Sequence, residues 1–151
     1  MVSFGSGSNT YQVADGFFKR PRKWPLMEVA DVAVDGEDNV YVFNRGAHPV
    51  IIFDKDGNFL ETWGAGVFTR PHGITIDAED NLYLADDDAH VVEKRTKEGA
   101  LIFRLGEQGK PAAWQQGDPF NRPTNTAVNP ETGDLFISDG YGSSRVHKYD
   151  T

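Results

Sequence analysis

A histidine, an arginine and a tyrosine occupy related places in a chain of 151 residues: His72 within Pro71-His72-Gly73, Arg45 within Asn44-Arg45-Gly46, and Tyr141 within Asp139-Gly140-Tyr141. Their chemistry is mutually compatible. Imidazole binds zinc, guanidinium clamps a carboxylate, and a phenol beside a cation accepts a proton. Each also has a plain structural reading. A lone histidine ahead of a strand is commonly a hydrogen-bonded loop residue, Arg45 an ordinary loop charge, and Tyr141 an aromatic filler between Gly140 and Gly142. Other titratable groups are weaker candidates. His48 and His90 stand 42 residues apart at equivalent positions, which points to a structural role in the loop entering a third strand. Asp86, the first of the run Asp86-Asp87-Asp88, matches Asn44 and Asp139 and is a recurring loop residue, and nothing in the sequence gives His147 a role.

What makes the trio worth pursuing is the repeat that must position it. Asp31–Phe43 can be laid over Gly73–Ala85, 42 residues on, and a third copy, Thr126–Ser138, follows after a longer gap. Each copy reads as a β-branched run, an acidic turn such as Asp35-Gly36-Glu37-Asp38-Asn39, and a second apolar run, which is a hairpin signal. Pro49–Phe53 and Asn58–Trp63 supply a third and a fourth strand, so one unit is a four-stranded antiparallel blade. The expected fold is all-β: a β-propeller with an N-terminal segment at 1–27 and blades at 28–64, 70–106 and 123–151, the last with three strands. Tyr11–Val13 reads as a strand that closes a ring on the edge of another blade. Residues 107–124 make an 18-residue connection, of a length that often lies over a site. In such a meander the start of the first strand and the end of the second share a rim, which brings His72, Arg45 and Tyr141 toward one pocket.

Three blades do not enclose a channel, because rings have about four to eight. The sequence is therefore expected to be either half of a longer propeller or a unit that pairs with a second copy to close a ring of six. Its composition, 38% hydrophobic and 12% aromatic, suits one ordinary core. Without cysteine there is no disulfide framework and no thiolate metal site. The formal charge of −8 argues against nucleic acid as partner, the short cluster Lys19–Lys23 notwithstanding. No apolar run approaches a membrane span, and no signal peptide opens the chain, so the expected location is cytoplasmic by default, with a secreted or periplasmic one left open.

The repeat unit resembles the NHL repeat. Val40–His48, Arg70–Asp77 and Phe120–Arg145 are, more specifically, similar to the peptidyl-α-hydroxyglycine α-amidating lyases, in three ordered blocks from about residue 26 onward. That resemblance implies a six-bladed propeller that uses zinc to cleave the C–N bond of a peptidyl-α-hydroxyglycine, giving an amidated peptide and glyoxylate. It implies that His72 is one of three zinc histidines, that Arg45 binds substrate, that Tyr141 is the catalytic tyrosine, and that the carbonyls of Val32 and Ile74 hold a structural calcium. The remaining ligands would come from blades four to six, so this chain would hold half of the site, and a cysteine beside the family tyrosine is Gly142 here. The implied partners are a small-molecule or peptide substrate and the second half of a ring or a second copy, with no nucleic acid and no membrane. The alternative is a non-catalytic NHL module that binds a protein or peptide.

Overall fold

The computed structural model describes residues 3–150, and they contain thirteen strands and no helix. A two-stranded hairpin, β1 (Ser3–Ser6) and β2 (Asn9–Gln12), is followed by two four-stranded antiparallel meanders and one of three strands. The first comprises β3 (Asp31–Val34), β4 (Val40–Phe43), β5 (Val50–Phe53) and β6 (Phe59–Trp63). The second comprises β7 (Pro71–Ile76), β8 (Leu82–Asp86), β9 (Val91–Arg95) and β10 (Leu101–Leu105). The third comprises β11 (Asn125–Val128), β12 (Leu135–Asp139) and β13 (Arg145–Tyr149). The chain is an all-β protein of propeller type. Tyr11 pairs with Phe4 inside the N-terminal hairpin, and no blade strand among the described residues pairs with it.

The blades stack face to face because successive strand residues point to opposite sides. Tyr41 and Phe43 of β4, with Val50 and Ile52 of β5, meet Ile74, Leu82 and Leu84 of the second blade. The intervening Val42, Ile51 and Phe53 face the other way, beneath Leu26 and Phe59, and Phe18 lies 4.7 Å from Phe53. The second blade is apolar on both faces: Leu82 and Leu84 point to the first blade, Tyr83 and Ala85 to the third, where they join Phe120, Leu135 and Ile137. This double burial is why β5 and β8 read as unbroken apolar runs, and each such side chain contributes about 1.5–3 kcal/mol.

The acidic turns that mark the repeat are hydrogen-bonded units. Asp35 Oδ1 accepts from the backbone N–H of Glu37 (2.9 Å) and Asn39 (2.8 Å), Asp54 Oδ1 from Asp56 and Asn58, and Asp77 Oδ1 from Glu79 (3.0 Å) and Asn81 (2.9 Å). In the third blade Asn129 Oδ1 takes the Glu131 N–H at 2.9 Å. One carboxylate or amide thus satisfies the donors of a tight reversal, the reason Asp and Asn recur there.

Burial alone would push the Asp77 carboxyl up, but the Lys94 ammonium at 2.9 Å and the amides of Asn81 and Glu79 outweigh it and hold the group below the usual carboxylate range. A depressed folded-state value adds stability that is complete above the unfolded value of about 3.9 and is lost as pH falls through the folded value. Urea midpoints measured from about pH 5 down to about pH 2 should therefore fall, and Asp77→Asn should be less stable at neutral pH with a shallower acid dependence.

Candidate functional site

The first strands β3, β7 and β11 are the inner strands and converge on one axis. The turn bond from Asp35 N–H to Asn39 C=O (3.1 Å) sets the alternation of the β3 ladder, leaving the N–H and C=O of Val32 directed away from β4. Ile74 is placed the same way in β7, and its N–H reaches Asp31 Oδ2 at 3.1 Å while the Val32 N–H reaches Asp31 Oδ1 at 2.9 Å. Asn125 Nδ2 donates to the same Asp31 Oδ2 at 3.4 Å, so one carboxylate links all three inner strands. The Val32 and Ile74 carbonyls share the axial side of their strands with these amides. An all-oxygen donor set of this kind suits a hard cation such as calcium.

At the rim the ends of the second strands act as clamps. Asn44 Oδ1 accepts from Met27 N–H (2.6 Å), Asp86 from Thr69 (2.5 Å) and Arg70 (2.8 Å), and Asp139 from Asn121 (3.0 Å). Each is completely or nearly completely buried. Burial pushes the Asp86 carboxyl above its ordinary value, and three backbone N–H donors offset only part of that rise. Each clamp holds the segment leading into its own blade's inner strand, and so sets both ends of the rim on which Arg45, His72 and Tyr141 stand.

His72 is the centre of this rim. Its Nδ1 lies 2.8 Å from the Thr124 carbonyl oxygen, which only accepts, so the proton resides on Nδ1 and the lone pair of Nε2 is exposed. Nε2 faces the Tyr141 hydroxyl at 3.3 Å, with the rings edge to face at 5.8 Å. A backbone carbonyl on the far nitrogen is the usual support of a metal-binding imidazole, and Nε2 is the nitrogen that a metal would take in place of the Tyr141 hydroxyl. Among the described residues no group of three or more His, Cys, Asp or Glu is arranged to hold a metal. Arg45 lies on the other flank: Nε donates to the Pro71 carbonyl at 3.0 Å and Nη1 pairs with Glu28 at 3.0 Å, while Nη2 makes no hydrogen bond among the described residues.

The structure therefore brings the three sequence candidates to one rim. The long connection over 107–124 is bound to the Tyr141 loop: Gln115 N–H donates to the Gly142 carbonyl (2.8 Å), Gly142 N–H to Asn121 (2.9 Å), and Arg145 to the carbonyls of Gln115 and Gln116. Gly142 is required by this packing, since a Cβ there would overlap the Asn121 carboxamide and stand 2.6 Å from Asn121 Cβ. Sequence reasoning missed two neighbours. Arg122 lies over the Tyr141 ring at 4.6 Å, and Asp87, fully buried, accepts from Arg70 and Arg122 at 2.8 Å each. The signal was present as Arg70-Pro71 and Arg122-Pro123 at equivalent places, but pairing through Asp87 is a contact between loops. His48 stacks on Trp24 at 3.7 Å, and His90 Nδ1 accepts the Arg122 N–H at 3.2 Å.

No protein-family model matches the chain. It is 31% identical over 160 residues to the peptidyl-glycine α-amidating monooxygenase of Mus musculus, an alignment covering 84% of this chain and 16% of that protein. It is 30% identical over 135 residues to a probable peptidyl-α-hydroxyglycine α-amidating lyase of Caenorhabditis elegans (89% and 37%), and 40% identical over 90 residues to peptidyl-α-hydroxyglycine α-amidating lyase 1 of Drosophila melanogaster (58% and 16%). The chain thus spans well under half the length of these relatives. Among solved structures, virginiamycin B lyase from Staphylococcus aureus superposes with a TM-score of 0.54 at 14% identity, over 82% of this chain and 41% of that one. A Bacteroides thetaiotaomicron protein of unknown function gives 0.63 at 18%, over 81% and 33%. These likenesses support the propeller fold.

The closest approach of two inner strands yields a test. A Cβ on Gly73 would stand 2.6 Å from Asn125 Oδ1 and 2.8 Å from Asn125 Cα. Gly73→Ala should cost about 1–3 kcal/mol in urea unfolding and shift the His72 ring signals in the NMR spectrum, as the Thr124 carbonyl is pushed from Nδ1.

Proposed function

We propose that the chain is part of a zinc-dependent lyase that cleaves the C–N bond of a peptidyl-α-hydroxyglycine, or a similar α-hydroxylated amide, to an amide and glyoxylate. The observation that carries this reading is the Thr124–His72–Tyr141 line, in which a carbonyl sets the imidazole tautomer and the bare Nε2 faces a phenol hydroxyl at 3.3 Å. Sequence similarity to the hydroxyglycine amidating lyases supplies the reaction class. Further zinc ligands would be needed beyond His72, and the Val32 and Ile74 carbonyls would help to hold a calcium.

Zinc bound at His72 Nε2 would supply Lewis-acid polarisation of a substrate oxygen. The chain's own residues would do the rest. The free Nη2 of Arg45 would hold the substrate carboxylate and orient the α-carbon. Tyr141, as the phenolate, would accept the proton of the α-hydroxyl; the hydroxyl oxygen then becomes the aldehyde oxygen of glyoxylate as the C–N bond breaks, and the phenol passes that proton to the amide nitrogen, which restores the phenolate. No oxidant or reductant enters. The half-exposed rim leaves a long peptide room to extend away from the site, since only the α-hydroxyglycine end must reach His72.

The test is glyoxylate release from an acyl-α-hydroxyglycine, with zinc supplied, by the ring completed with its second half or a second copy of the chain. His72→Ala and Tyr141→Phe should each lower kcat by about a hundredfold or more, and Arg45→Ala should chiefly raise KM. Zinc-independent turnover, or full activity in both variants, would overturn the proposal. A folded protein with no turnover that still binds peptide would favour a non-catalytic module.

A further inference from the structure

The Tyr141 ring is held in an unusual way. It is 48% exposed, and among the described residues its one aromatic neighbour is His72, met edge on, so that no second ring stacks on its face. Arg122 covers that face instead, with the guanidinium carbon 4.6 Å from the ring centre. Arg122 is itself tightly fixed. Its Nη2 donates to Oδ2 of the fully buried Asp87 at 2.8 Å and lies 3.2 Å from Asp88, and Arg70 Nη1 donates to the same Asp87 oxygen at 2.8 Å. The Arg122 backbone sits at φ 70°, a left-handed conformation that arginine seldom adopts, with its N–H bound to His90 Nδ1.

Asp87 joins the loops of two blades through both arginines, and the contact of Arg122 with the Tyr141 ring is additional to that link. Arg122 Nε and Asp87 Oδ1 are buried without a hydrogen-bond partner, and such groups cost stability. Arg70 stands at the equivalent point of the second blade and shares Asp87, yet it covers no tyrosine ring. Lys94 and Arg95 meet the rings of Tyr83 and Phe68 elsewhere, but at this repeat position only Arg122 covers a ring among the described residues.

We propose that Arg122 is a positioning residue: buried Asp87 holds its guanidinium over the Tyr141 ring and so keeps the phenol hydroxyl turned toward His72 Nε2. A planar guanidinium can lie parallel to the ring while a Lys ammonium contacts it as a point charge, so lysine should replace it only in part. The contact also puts a fixed positive charge beside the ring whose oxygen takes the proton. That catalytic consequence rests on the lyase reading, whereas the positioning does not.

The experiment is aromatic NMR of the isotope-labelled chain, with Tyr141 assigned through Tyr141→Phe and its proximity to His72 read as a ring-to-ring NOE. In Arg122→Gln the NOE should weaken several-fold and the Tyr141 signals should move toward those of a free tyrosine, with the signals of Phe43 and Leu84 unchanged. Arg122→Lys should restore part of the NOE. An Arg122→Gln protein with native core signals and an undiminished NOE would overturn the proposal, as would a lysine variant no better than glutamine. Should Arg122→Gln fail to fold, Tyr141→Leu serves: the Arg122 Nε–H signal should shift on loss of the ring, and an unmoved signal refutes the contact. Where wild-type turnover is measurable, Arg122→Gln should lower kcat about tenfold or more with little change in KM. Absence of turnover once the ring and its zinc ligands are completed, by the second half of a propeller or a second copy, would refute the lyase reading while leaving the NMR result to decide the role of Arg122.

Discussion

The site depends on how near the inner strands of the second and third blades come to each other. At Gly73 no side chain intervenes, and the backbone of Thr124 and Asn125 fills the space a Cβ would need. That approach puts the Thr124 carbonyl 2.8 Å from His72 Nδ1, and one hydrogen bond then decides which imidazole nitrogen is bare. Thr75 Oγ1 donates to the Thr126 carbonyl at 2.7 Å further along the same pair of strands. Blade packing and imidazole chemistry are therefore consequences of one backbone contact.

A second set of polar groups makes the rim rigid enough to use. Asn44, Asp86 and Asp139 are buried at the ends of the second strands, where an unpaired amide or carboxylate would be costly, and each takes backbone N–H donors from the segment ahead of its own inner strand. Loops are ordinarily the mobile part of a propeller. Here Arg45, His72 and Tyr141 are each within two residues of such a clamp or of an inner strand, so their backbone positions follow from the sheets. The long connection adds to this by fastening Asn121 and Gln115 to Gly142, next to the tyrosine.

The charges near the site are arranged for orientation more than for attraction. Arg45 is tied to Glu28, and Arg70 and Arg122 share Asp87 and Asp88, so the rim holds three guanidinium groups without a large positive field. This agrees with a chain whose formal charge is −8. Nη2 of Arg45 is one of the rim guanidinium nitrogens that make no hydrogen bond among the described residues, and on the proposed reading it meets the substrate carboxylate.

Much of this was legible in the chain itself. The 42-residue repeat, the Asp-Xaa-Xaa-Xaa-Asn turns and the period-two apolar runs specify four-stranded blades, because turn donors and sheet faces are satisfied by residues close in sequence. The rim placement of His72, Arg45 and Tyr141 followed from the same local register. What the sequence did not disclose depends on contacts between blades: the Thr124 carbonyl on His72, 52 residues away; the Arg122 guanidinium over Tyr141; the buried Asp87 joining two arginines 52 residues apart; and the Asn121 carboxamide in the space beside Gly142. The structure also has an N-terminal hairpin where only a single strand at Tyr11 was expected. Local hydrogen bonding and alternation determine the blades, but the tautomer of the histidine and the pose of the tyrosine are set by how far apart two independently formed sheets come to rest, and only their packing decides that distance.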